Sequence, residues 1–350
     1  TYLECFYVTR MVKNKMKTQT IIIAEIGVNH NGSLNLAKKL IDKAKSAGAT
    51  FAKFQVYSID EIAHEKSVKA DYQNKALGKK ISQLEMLKKL NLTHKEHHKL
   101  FLYAKKKKIN YMASGFSKKD FYFLKKIGCK YLKIPSGEIT NLNLLKYVGS
   151  LNRKIILSTG ASDLLEIKNS VKYLKKGGAK NSDITLLHCN SAYPTPPKDC
   201  NLKAMSTIKK IFKTSIGYSD HTNQIDIPVI AVALGAEVIE KHFTLNNRMK
   251  GPDHKSSLNP RNFRLMVKKI KDTEIILGNG IKKPSSSEIK NIKFIRRGIY
   301  SKKNIKNNEH FTKENIFCIR PLNKNGAENW FNVIGKKSKK NYLKNQTIDQ

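Results

Sequence analysis

From residue 20 onward two patterns alternate along the chain. Short runs dense in β-branched and other apolar residues, each ending in polar side chains, are followed by longer segments whose apolar positions recur every three or four residues. The first pattern predicts strands over residues 20–27, 51–57, 109–116, 130–138, 154–160, 183–190, 215–221 and 237–243. The second predicts helices between them, among others over 34–46, 119–126, 141–148, 164–176 and 227–235, with a last one over 260–277. Strands so continuously apolar are buried on both faces, and eight β/α units in this length predict an α/β fold of the closed (β/α)8 TIM-barrel type. An open doubly wound sheet is the alternative. It needs a glycine-rich phosphate loop after its first strand, and Gly27-Val28-Asn29-His30-Asn31-Gly32 lacks the G-x-G-x-x-G spacing.

The same patterning divides the chain. Residues 1–18 read as a disordered leader: their apolar patch is broken by Glu4 and has no small-residue cleavage site, and Met11 or Met16 could be a later start. The barrel occupies 19–278. Gly278-Asn279-Gly280 and Lys282-Lys283-Pro284-Ser285-Ser286-Ser287 predict a linker over 279–292. Residues 293–350 give only short strand-like pieces, so a small, mostly β domain is expected, too small to be stable without docking on a barrel. The excursion between Tyr57 and His94, with its polar stretch from Ala70 to Lys75, is a candidate substrate cover or a plain surface loop.

Charge changes this picture less than its size suggests. The formal net charge is +40, from 67 Lys and Arg against 27 Asp and Glu. The excess is spread along every segment and is mostly Lys, whereas bidentate recognition of phosphate or guanine favours clustered Arg. No specific nucleic-acid partner is expected, though small anions would be attracted. No run approaches the roughly 20 apolar residues of a membrane span, so no membrane partner is expected either. Five cysteines, odd in number and without C-x-x-C spacing, point to reduced thiols and a cytoplasmic protein.

Barrel enzymes carry their chemistry at the carboxyl ends of the strands, and those ends are unusually polar here. Alternation sends Glu240 and His242 to one face, and His221 shares a face with Ser219. If these two strands are neighbours, His221 and His242 converge, and two neutral imidazoles with positions left for oxygen ligands suit Mn, Fe, Co or Zn. Each could instead be a hydrogen-bonded strand-end histidine. Lys53 with Gln55, Lys133 with Ser136, Ser158 and Ser219 aim cations and hydroxyls at one mouth, which suits a phosphate or carboxylate. Glu25 and Glu138 add carboxylates that can act as acid, base or metal support.

These segments carry a resemblance. Ile23 to Gly32, Phe54-Gln55, Lys133 to Glu138, Leu157 to Gly160, His188-Cys189 followed by Tyr193-Pro194-Thr195-Pro196, Gly217 to His221, Glu240 to Phe243 and Gly251-Pro252-Asp253-His254 resemble the bacterial sialic acid synthases, a family that includes the N-acetylneuraminate, legionaminate and pseudaminate enzymes. Arg296 to Tyr300 and Ile319-Arg320-Pro321 are similar to that family's antifreeze-like (SAF) β-clip domain. The resemblance implies a transferase that condenses phosphoenolpyruvate with an N-acylated amino sugar of the mannosamine type, releasing phosphate and a nine-carbon acid of the neuraminate or legionaminate type. It implies a divalent metal on His221 and His242, Mn2+ first, with Mg2+ or Co2+ as alternatives. It further implies a homodimer with exchanged C-terminal domains. By the same resemblance Lys53, Lys133, Ser136, Ser158 and Ser219 hold phosphoenolpyruvate, Glu25 supports metal or water, and Glu138 moves a proton at the aldehyde oxygen. Gln55, Tyr193 and Asp253 would contact sugar hydroxyls, and Arg320 of the partner would reach the N-acyl group. Ser191 stands where some members have an Asn ligand. A ketodeoxy-sugar-phosphate synthase and a noncatalytic binding protein are the competing readings; the first needs extra cations for a sugar phosphate, and the second predicts binding without phosphate release.

Overall fold

The computed structural model describes residues 19–65, 67–70, 73, 74 and 82–350. The expected leader and half of the stretch from Ala70 to Lys75 (residues 71, 72 and 75) lie outside these. Eight parallel strands close into a barrel in sequential order: β1 (Ile21–Gly27), β2 (Phe51–Val56), β3 (Asn110–Gly115), β4 (Tyr131–Ile134), β5 (Lys154–Ser158), β6 (Ile184–Cys189), β7 (Ser215–Asp220) and β8 (Val238–His242). Each is followed by a main crossover helix: α1 (Leu34–Ser46), α2 (His94–Lys106), α3 (Lys118–Lys126), α4 (Leu142–Gly149), α5 (Leu164–Lys176), α6 (Ala204–Phe212), α7 (Asp226–Ala233) and α8 (Pro260–Leu277). The expected (β/α)8 barrel is the fold observed. No described helix is long and apolar enough to cross a membrane.

Local sequence fixes where the crossovers begin. Ser33, Thr93, Ser117 and Asp163 each cap a helix through the side chain, and the last three are completed by Glu96, Asp120 and Glu166 three residues on, so orphan amides at both ends of the first turn are satisfied. Apolar side chains on the outer faces of the strands, such as Phe54, Leu132, Leu186 and Ile239, pack against helix residues such as Leu40, Leu100, Phe121 and Leu174 in one continuous core. Inside the barrel Ile23, Phe51, Met112, Ile156, Leu187 and Val238 form a separate apolar plug. Gly217 completes that layer because a Cβ there would lie 2.4 Å from the Val238 carbonyl oxygen and 2.6 Å from Leu187 Cδ2. Above the plug, toward the strand carboxyl ends, the next inward-facing side chain of each strand is polar.

Two boundaries differ from the sequence reading. Pro135 ends β4 at Ile134, and Ser136–Glu138 is a short 3-10 turn instead of strand. The linker expected over 279–292 contains most of a helix, α9 (Ser286–Ile295), because the serine run ends in a capping box in which Ser285 N–H donates to Glu288 Oε2 at 2.8 Å.

The chain separates into two compact units between Asn279 and Gly280. In the second, β9 (Gly298–Ser301) pairs antiparallel with β10 (Ile316–Ile319). Its small core gathers Ile299, Ile305, Phe311, Ile316, Val333, Tyr342 and Ile348.

Candidate active site

Strand parity builds the site. One turn of the pleat above the plug, each strand sends one side chain inward: Glu25, Lys53, Ser114, Lys133, Ser158, Cys189, Ser219 and Glu240, all lining one cavity of about 240 Å3. The register supports this, with Glu25 beside Lys53, Ser114 beside Lys133, and Ser219 beside Glu240. Above them Gln55, Ser136, Ser191, Tyr193, His221, His242 and Asp253 line the mouth. The register shifts by a bulge between Glu25 and Gly27, and Gly27 takes φ +53°.

The lower layer is a charge lattice. Lys53 Nζ lies 2.5 Å from Glu25 Oε2 and 3.5 Å from Glu240 Oε1, and Lys133 Nζ lies 3.9 Å from that same Glu240 oxygen. Lys133 also donates to Ser158 Oγ at 2.6 Å, and Ser219 Oγ donates to Glu240 Oε1 at 3.2 Å. Burial resists both charges of the Lys53–Glu240 pair, yet each wins: Glu240 and Glu25 raise Lys53, while Lys133 and Lys53 hold Glu240 below its ordinary value. Burial lowers Lys133. Glu25 goes the other way. Burial, together with the neighbouring Glu240 charge, outweighs Lys53 and raises its carboxyl to about 7. Lys53 and Lys133 thus face Glu25 and Glu240, and of the two carboxyl groups Glu25 is poised at neutral pH.

The upper layer holds the imidazoles. The rings of His221 and His242 lie 5.4 Å apart at 64°, as expected for residues ending adjacent strands. Tyr193 stacks on His221 with centroids 4.1 Å apart and meets His242 edge-on at 5.6 Å. Burial pushes His221 down to about 4 and His242 well below its ordinary value, so both are neutral at pH 7. His221 Nδ1 is 2.5 Å from the Asn190 carbonyl, so Nδ1–H donates there and Nε2 is left as an acceptor. Among the described residues, buried His242 Nδ1 and Glu240 Oε2 have no hydrogen-bond partner, and Asp253 Oδ2 is 3.7 Å from that nitrogen. Burial raises Asp253 to about 6. This donor set fits a divalent ion held by two imidazoles, with its other positions open to oxygen ligands. Among the described residues no group of three His, Cys, Asp or Glu could hold an ion unaided.

Residues 40–282 match the profile of the NeuB family. The chain belongs to this family of sialic acid synthases. It is similar to the N,N'-diacetyllegionaminic acid synthase of Campylobacter jejuni, 48% identical over 330 residues that cover 94% of this chain and 99% of the relative. It is 39% identical to the enzyme of the same name from Legionella pneumophila, over 93% of this chain and 92% of the relative. The solved structure of an N-acetylneuraminic acid synthetase from Leptospira borgpetersenii, in complex with citrate, superposes with a TM-score of 0.69 at 36% identity, covering 79% of this chain and 91% of that one.

Within this NeuB-family barrel, eleven of the residues singled out from sequence line the one cavity: Glu25, Lys53, Gln55, Lys133, Ser136, Ser158, Tyr193, Ser219, His221, His242 and Asp253. Two do not. Glu138 falls one residue beyond Gly137, in the turn that Pro135 creates, and its carboxylate accepts from Asn141 Nδ2 at 2.8 Å. Arg320 belongs to the second unit, where its Nε donates to the Ile295 carbonyl at 2.8 Å. The sequence reading places Glu240 on the face of His242 without giving it a role, and it gives Ser114 no place. Ser114 could be found by the same parity, since it is in phase with the plug residue Met112.

Proposed function

We propose that this chain condenses phosphoenolpyruvate with an N-acylated amino sugar of the mannosamine type to give a nine-carbon 2-keto acid and phosphate. The observation that carries the reading is the lower layer: Lys53, Lys133 and the hydroxyls of Ser158 and Ser219 converge beneath two neutral imidazoles. Such a layer suits a phosphate and a carboxylate on one small molecule. Lys53, Lys133, Ser136, Ser158 and Ser219 would hold those anionic groups, leaving C3 of the enol facing the mouth. Gln55, Tyr193 and Asp253 would hydrogen-bond sugar hydroxyls there. C3 attacks the aldehyde carbon of the open-chain sugar, the aldehyde oxygen takes a proton, and C2 becomes electrophilic. Water adds at C2, and the tetrahedral intermediate expels phosphate by C–O cleavage. Glu25, raised to about 7, can accept the proton of that water. Glu138 remains the proposed proton donor at the aldehyde oxygen, and Asp253, raised to about 6, is a second carboxyl able to give one.

His221 and His242 would hold a divalent ion, Mn2+ first, whose chemistry is to polarise the aldehyde. The second unit is proposed to be an antifreeze-like module exchanged within a homodimer, with the partner's Arg320 reaching the N-acyl group. Four free thiols among the described residues support a cytoplasmic setting. The names of the two curated relatives favour the legionaminate branch, and so a 2,4-diacetamido-6-deoxy sugar. The test is phosphate release from phosphoenolpyruvate with Mn2+, comparing N-acetylmannosamine, its 2,4-diacetamido-6-deoxy analogue and no sugar. Release only with sugar, faster with the diacetamido analogue, is expected. Absence of release with either sugar from folded, metal-loaded protein refutes the reading.

A further inference from the structure

The two imidazoles are backed by a charge pair that the proposed chemistry does not use. β7 and β8 run in register, Ser219 beside Glu240 and Asp220 beside Lys241. Alternation puts Ser219 and Glu240 into the cavity and turns Asp220 and Lys241 to the outer face of the sheet, where both side chains are fully buried. Lys241 Nζ is 2.5 Å from Asp220 Oδ2, 2.5 Å from the Thr222 carbonyl and 3.2 Å from the Gln224 carbonyl. Asp220 in turn accepts from Thr222 N–H at 2.9 Å and from the Thr222 hydroxyl at 3.1 Å. One ammonium thus grips the residue before His221 and the turn after it, and belongs to the residue before His242.

Stability does not explain this arrangement. A well-packed apolar pair in the same volume commonly serves a core as well as a buried ion pair does. What apolar side chains lack is direction, and here three directed bonds close the backbone on both sides of His221 and tie it to the strand that carries His242. We propose that Lys241 and Asp220 are positioning residues that hold His221 and His242 in the mutual geometry a divalent ion requires. This rests on the two-imidazole reading above.

The test titrates Mn2+ into metal-free full-length protein and reads the unbound ion by electron paramagnetic resonance, a measure independent of turnover. The double variant Lys241→Met/Asp220→Leu replaces the pair by apolar groups; thermal unfolding checks its fold. Its Mn2+ affinity is expected to fall about 10- to 100-fold, the usual effect of losing an outer partner of metal ligands. His221→Ala is the control. If binding is lost in His221→Ala but stays within twofold in the folded double variant, the positioning role is overturned and the metal reading stands. If His221→Ala leaves binding unchanged, the metal reading fails and the proposal with it. Should the double variant not fold, Asp220→Asn keeps the shape and removes the charge pair; a several-fold weaker affinity is expected, and an unchanged one overturns the proposal.

Discussion

Replacing Lys53 by methionine tests the charge lattice through its dependence on pH. The methionine stem fills most of the same space, so the main loss is the ammonium 2.5 Å from Glu25 and 3.5 Å from Glu240. Removing one partner of a buried pair costs about 3–5 kcal/mol when the other must stay charged. Here it need not, because Glu25 is already raised to about 7. Without Lys53 that value rises further, and Glu240, held low in part by Lys53, moves the same way. The sign follows from linkage. A carboxyl raised in the folded state costs nothing below its unfolded value, where both states are protonated, and costs progressively more up to its folded value. In the parent, the Glu25 cost stops growing near pH 7. In Lys53→Met it keeps growing above pH 7, by about 1.4 kcal/mol per pH unit for each carboxyl involved. Urea unfolding of both proteins at pH 6 and pH 8 should show the variant less stable at both, with the gap wider at pH 8 by about 1–2 kcal/mol. A gap that is constant, or wider at pH 6, would refute the placement of Glu25 as the neutralisable partner. The variant should also lose about 100-fold or more in kcat/KM for phosphoenolpyruvate, in line with removing one preorganised charge from an anion site.

Other outcomes follow from the same geometry. His221→Ala should lose Mn2+ binding and turnover together, seen by metal analysis of the purified protein and by phosphate release. Glu25→Gln should abolish an inflection near pH 7 expected in the parent's kcat/KM profile, since burial raises that carboxyl to about 7 in the free protein. Gly217→Ala forces a methyl to 2.4 Å from the Val238 carbonyl oxygen. Thermal unfolding should reveal a loss of at least about 1–3 kcal/mol, because neighbouring strands of a closed barrel have little room to part.

The barrel was legible because two hydrophobic periods, strand and helix, alternate with few interruptions; α1, α5 and α8 begin and end where the apolar spacing does. The cavity was legible by a single rule, that every second residue at a strand's carboxyl end faces inward. That rule does not reach Glu138, which is out of phase with Lys133 and follows Pro135, where the strand has already ended, and it was not carried through at Ser114, which is in phase with Met112. Serine-rich composition disguised α9, although Ser285 and Glu288 stand at capping-box spacing. Arg320 could not be placed by periodicity at all, because no strand parity connects the second unit to the barrel mouth.

The pairing within the lower layer has a thermodynamic consequence. Its two lysines already face two carboxyl groups, so an incoming substrate with both a phosphate and a carboxylate adds negative charge beside carboxyls that are already there. Glu25 can relieve the excess by taking a proton from solution, and an anion beside it raises its affinity for one. Binding of phosphoenolpyruvate near pH 7.5 should therefore consume protons. Calorimetric heats measured in buffers of different ionisation enthalpy would then diverge by a constant fraction of that enthalpy, and in Glu25→Gln they would coincide.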